Sequence, residues 1–68
     1  MKREAVISRA ITSVGYQAGT LQLEFVDGDV YRYFLVPRSV FIEFMQAESK
    51  GAFFNDRIRD RYPTEGPL

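Results

Sequence analysis

Four cations fall in the stretch 50–61, namely Lys50, Arg57, Arg59 and Arg61, against only Asp56 and Asp60. Such a cluster would hold phosphates, and Arg32 would extend it from the middle of the chain. The same residues also suit a plain solvated helix. Asp56–Arg59 and Arg57–Asp60 stand at i,i+3 and can pair locally, and cations late in a helix complement its dipole. On a helical wheel Arg57 and Arg61 flank one side of a Phe54/Ile58 stripe and Arg59 the other, so they form no single ridge. Tyr31 and Tyr33 would stack on bases if they faced water, or fill a core if they faced inward. Ser49-Lys50-Gly51 followed by Asn55 suggests a phosphate loop. The spacing of a P-loop and the strand before it are both missing, and a helix–turn–helix junction fits better. Glu24, Asp27 and Asp29 are carboxylates beside a turn, where hairpin chemistry accounts for them without metal or acid–base work. Ile42, Met45 and Phe53 are apolar groups that would meet a partner, or equally the scattered surface hydrophobes that any small domain carries.

What is missing narrows the chemistry. The 68 residues include no His, Cys or Trp. The commonest general base and transition-metal ligand are therefore absent, as are disulfides and cysteine-based zinc sites. No carboxylate pair at a useful spacing takes their place, so a non-enzyme without metal or cofactor is expected. Nine cations balance nine anions, four against four in residues 1–34 and five against five in 35–68. The sequence pI is near 6.2, whereas domains that grip nucleic acid by charge usually exceed about 9. Apolar residues make up 46% and aromatic residues 15%, enough for a folded core. No apolar run approaches the ~20 residues of a membrane span. The polar Met1-Lys2-Arg3-Glu4 start has no signal-peptide apolar stretch behind it, so a cytoplasmic chain is expected.

The elements that must position these groups follow from periodicity. Residues 1–9 have no clear period and read as a loose arm leading into the first strand. A first strand covers about 10–16, with Ile11, Ser13 and Gly15 on one side and Thr12, Val14 and Tyr16 on the other. A turn at Gln17-Ala18-Gly19 leads to Leu21, Leu23 and Phe25, which alternate with Gln22 and Glu24 in a half-buried strand. Asp27-Gly28 then marks a hairpin. A two-residue turn would set Leu23 opposite Arg32 and place a guanidinium on the apolar face. A three-residue loop with Gly28 at the bulge sets Leu23 opposite Tyr31, Leu21 opposite Tyr33 and Arg32 beside Gln22, diagonally near Glu24. We adopt the bulged register. Both tyrosines then lie on the core face, and their hydroxyls need partners or must reach the rim. Pro37 starts a helix whose stripe is Val40, Phe41, Phe44, Met45 and Ala47, with Ile42 left exposed. Ser49 or Gly51 caps the junction. A second helix spans about 52–61, stopped by Pro63. Residues 64–68 read as a tail. The expected architecture is α+β: a three-stranded antiparallel meander with two C-terminal helices packed on one face. We expect one domain over 1–68, with its core at about 8–63 and flexible ends at 1–7 and 64–68.

Several segments together resemble the KTSC domain: Val14-Gly15-Tyr16, Leu21-Gln22-Leu23-Glu24-Phe25, Asp27-Gly28, Tyr31-Arg32-Tyr33, Val36-Pro37, Val40, Ser49-Lys50-Gly51-Ala52-Phe53-Phe54-Asn55, Ile58-Arg59 and Tyr62-Pro63. That short module occurs at the C-terminus of some lysyl-tRNA synthetases and as a stand-alone bacterial or phage protein. The resemblance covers about residues 8–63. It implies a domain of unknown function, suggested to bind RNA, with no catalytic residue or cofactor to carry over. Two functional readings stay open. One is RNA (tRNA) contact through Arg32, Lys50, Arg57, Arg59 and Arg61. The other is protein–protein contact, or self-association as a homodimer, through Ile42, Met45 and Phe53.

Overall fold

The computed structural model describes residues 1–68. The chain runs β1 (Arg3–Ala5), β2 (Ile11–Gln17), β3 (Thr20–Phe25), β4 (Val30–Tyr33), α1 (Arg38–Gln46), α2 (Lys50–Arg57) and β5 (Thr64–Glu65). All neighbouring strands pair antiparallel, in the order β1-β2-β3-β4-β5. The fold is thus α+β, with two helices and an antiparallel sheet of five strands where three were expected. No helix is long and apolar enough to cross a membrane.

The extra strands are the two chain ends that were expected to be loose. Arg3, Glu4 and Ala5 pair with Gly15, Val14 and Ser13. Thr64 and Glu65 pair with Tyr33 and Arg32. The Phe34 N–H donates to the Pro63 carbonyl and the Leu68 N–H to the Val30 carbonyl, both at 2.8 Å. Gly66 permits this return. Its φ is +150°, and a Cβ there would lie 2.5 Å from the Tyr31 ring, so only glycine lets the chain pass so close.

The central hairpin adopts the bulged register. Leu21 faces Tyr33, Gln22 faces Arg32 and Leu23 faces Tyr31. Val26, Asp27 and Gly28 form the loop: the Phe25 N–H donates to the Asp29 carbonyl at 2.8 Å, and Gly28 takes φ +96°. The Asp27 carboxylate accepts the Asp29 N–H at 2.9 Å. At the other end of β3, Ala18 and Gly19 both have positive φ, 50° and 82°, the turn pattern that matches strand twist. The expected alternation of β2 is broken. Ile11 pairs with Phe25 but Ser13 with Glu24, so Thr12 is an extra residue. This bulge turns both Ile11 and Val14, three apart, into the core.

The core joins Ile11, Val14, Leu21, Leu23 and Tyr33 of the sheet to Val36, Phe44, Phe54 and Ile58. The helices therefore cover the face that carries the odd-numbered residues of β3 and β4. Tyr16 fastens β2 to α1. Its ring stacks on Phe41 at 4.5 Å and 6°, and its hydroxyl donates to the Val36 carbonyl at 2.7 Å. Ser49 caps α2 by accepting the Ala52 N–H at 3.2 Å. α2 ends at Arg57, a turn earlier than expected, because Ile58 leaves helical geometry at φ −123°. The opposite sheet face is polar. Gln22 accepts from Arg32 Nε at 2.8 Å, the Ser13 hydroxyl donates to Glu24 at 3.0 Å, and Arg3 and Arg32 reach Glu24 and Glu65 at 3.7 and 3.6 Å.

Candidate functional site

Five stretches of chain meet at one end of the helix-covered face: the β1–β2 loop, the β3–β4 hairpin, α2, the turn after α2, and β5. Between them lies an open groove of about 740 Å³, within the usual size range of ligand sites. Its floor is aromatic. Tyr31 and Tyr33 lie nearly parallel at 6.4 Å and 26°. Phe25 meets Tyr31 edge-on at 5.7 Å, and Phe54 meets Phe25 at 5.2 Å and Tyr33 at 5.5 Å. The rim carries Arg9 and Arg59 together with Asp27, Asp29 and Asp60.

Local rules explain why these groups gather. The bulged register points alternate residues of β4 under the helices, which brings Tyr31 and Tyr33 against Phe54. The hairpin loop needs Asp27 for its own hydrogen bond, and Asp29 follows at the start of the return. Early termination of α2 swings Arg59 and Asp60 off the helix and toward the sheet. Tyr33 is only 4% exposed, and Tyr31 is half-buried. Neither hydroxyl has a protein partner, unlike that of Tyr16, and neither is sealed from solvent. Burial pushes the Tyr33 phenol up to about 12. Tyr31 and Asp60 add to the rise and Arg59 opposes it. The hydroxyl therefore stays neutral at physiological pH, able both to donate and to accept.

The five cations proposed for phosphate contact do not converge. Arg32 lies on the opposite sheet face beside Gln22, as the register predicts, and is bound to Gln22 and Glu65. Lys50 is the first residue of α2, and its ammonium donates to the carbonyls of Met45 and Ala47 at 3.2 and 3.3 Å, closing the end of α1. Arg57 pairs with Glu43 of α1 at 3.5 Å and lies over the Phe53 ring at 5.2 Å. This interhelical pair replaces the local Arg57–Asp60 pairing, and Asp56 makes no ion pair with Arg59. Arg59 and Arg61 are exposed and outside every ion pair, and of the two only Arg59 reaches the groove. Among the apolar candidates Ile42 is exposed, as expected, whereas Met45 and Phe53 are half-buried against the core. Sequence spacing does not single out Arg9 and marks Asp60 only as a local partner of Arg57; tertiary folding brings both beside the tyrosines.

The role of Lys50 is open to direct test. Lys50→Met keeps the aliphatic stem and loses two charge-assisted hydrogen bonds. A loss of roughly 1–2 kcal/mol in urea unfolding is expected. A side chain held only for phosphate would leave the midpoint unmoved.

The KTSC domain family model matches residues 7–62. The chain is 36% identical over 64 residues to an uncharacterized protein of Stutzerimonas stutzeri, spanning 91% of this chain and 90% of that one. It is also 46% identical over 46 residues to a lysine–tRNA ligase of Nostoc punctiforme, spanning 68% of this chain but only 8% of the ligase. Among solved structures, a KTSC domain protein from Yersinia pestis superposes with a TM-score of 0.90 at 33% identity, over 94% of this chain and 93% of that one.

Proposed function

This chain belongs to the KTSC domain family, and on that footing we propose that it acts as a non-catalytic macromolecule-binding module whose partner enters the groove beside Tyr31 and Tyr33. The observation that carries this is the groove itself: an aromatic floor with two unpartnered phenol hydroxyls, ringed by five charged side chains that make no ion pair. Such groups favour binding over turnover. The one strongly shifted group, Tyr33, is held neutral and is a weak acid near pH 7.

A protein partner is preferred to RNA. Arg32, Lys50 and Arg57 are engaged inside the fold, and the net charge is zero. RNA contact is the second reading. It is favoured by the likeness to a segment of a lysine–tRNA ligase and by the unpaired Arg59 and Arg61. The two separate in one experiment. The immobilised chain is exposed to cell lysate with and without RNase, beside Thr64→Trp, which places an indole at the groove wall. We expect RNase-resistant protein to be retained by the native chain and lost by Thr64→Trp. Retention that disappears with RNase and falls steeply with salt selects RNA. Equal retention by both chains overturns the groove as the binding site.

A further inference from the structure

Resting on that reading, we propose that the groove accepts a cationic side chain, arginine or lysine, presented by a protein partner. Charge complementarity is the first argument. Three carboxylates, Asp27, Asp29 and Asp60, face two guanidinium groups, Arg9 and Arg59, and none of the five is in an ion pair. The rim is net negative, in a chain whose total charge is zero. The carboxylates do not converge into a metal-holding cluster, so a diffuse organic cation suits them better than a metal ion.

The floor is the second argument. Ring faces attract cations, more strongly where water is displaced. The fold already builds this arrangement once from its own residues: the Arg57 guanidinium lies over Phe53 at 5.2 Å while Glu43 holds it from the side at 3.5 Å. The groove offers the same pair of groups, rings below and a carboxylate at the edge, without a cation of the chain lying over the rings. The third argument is Tyr33. Its side chain is more than nine-tenths buried, yet its hydroxyl lacks a partner and lines the groove. A guanidinium or ammonium N–H entering the groove would donate to that oxygen in place of water.

Arg59 makes the proposal testable by sign. It stands on the rim as a competing positive charge, so removing it helps a cation and harms an anion. The probe is N-acetyl-arginine amide, titrated into the full ¹⁵N-labelled chain and followed by amide shifts, beside guanosine monophosphate as the anionic probe. The arginine probe is expected to shift Tyr31, Tyr33, Phe54 and Asp60. Asp60→Asn should raise its midpoint roughly threefold and Arg59→Ala should lower it by a similar factor, the scale of one rim charge. Both side chains are exposed and outside every ion pair, so neither change should unfold the chain. The proposal is overturned if the arginine probe leaves the groove unshifted, or if Arg59→Ala weakens its binding. In either case, loss of the partner by Thr64→Trp would still support the binding-module reading. Shifts from guanosine monophosphate alone would reassign the groove to a nucleotide. If the groove answers neither probe and Thr64→Trp keeps its partner, both readings fall.

Discussion

Phe44→Ala is expected to abolish the cooperative thermal transition. Phe44 is the one fully buried residue of α1, and its ring meets Phe53 edge-on at 5.8 Å. A nine-residue helix has little stability of its own in water, so α1 stays folded because Phe44 docks it into the buried core cluster. Removing the ring costs roughly 3–5 kcal/mol through lost burial and the cavity left behind. A chain of this size without disulfides seldom has more than about 3–5 kcal/mol in total. Circular dichroism should therefore show a shallow, non-sigmoidal melt, and the amide spectrum should lose its dispersion. Phe44→Leu keeps most of the volume and should stay folded at a lower midpoint. A cooperative melt of Phe44→Ala at the native temperature would mean that α1 is held by something other than this ring.

The features legible in the sequence were those enforced by hydrophobic alternation. Leu21, Leu23 and Phe25 define one face so clearly that only one hairpin register keeps Arg32 off it, and the structure adopts that register. Pro37 and the stripe containing Phe44 likewise mark α1. Elsewhere the physics leaves no such trace. β1 and β5 expose all their side chains. They are held through backbone hydrogen bonds, which any residue except proline can make. The bulge at Thr12 puts Ile11 and Val14 three apart and destroys the period of two. The end of α2 is equally silent, because Ile58 is fully buried whether or not the helix continues.

The site was half legible, for a related reason. Tyr31 and Tyr33 declared themselves, since aromatic rings on a core face carry hydroxyls that must find partners or reach an edge. Their actual solution is the edge, and this is why a groove exists there. The charges around it come from segments far apart in the chain, and no spacing rule links Arg9 to Asp60. The clustered cations divide between two uses. Lys50 and Arg57, at the two ends of α2, are spent on holding α1 and α2 together. Two of the four cations in 50–61 thus serve helix packing, while Arg59 and Arg61 stay outside every ion pair.

The buried phenol should also make the chain sensitive to alkali. Burial raises Tyr33 from 10.0 to about 12 in the folded state. Below pH 10 the phenol is neutral in both states, and this stability is fully present. As pH rises from 10 to 12 the unfolded chain releases the proton while the folded chain retains it, so the unfolded state gains. Linkage at about 1.4 kcal/mol per pH unit, reduced for water at the groove mouth, gives a loss of roughly 2 kcal/mol across that window. Tyr33→Phe has no such proton to release. Its stability relative to the native chain should therefore rise by roughly that amount between pH 10 and 12 in urea unfolding. Ultraviolet titration of the native chain should show a phenolate step near 12 that the variant lacks. A Tyr33 step near 10 in the native chain would mean that water reaches the hydroxyl freely and that burial of the ring does not favour the neutral phenol.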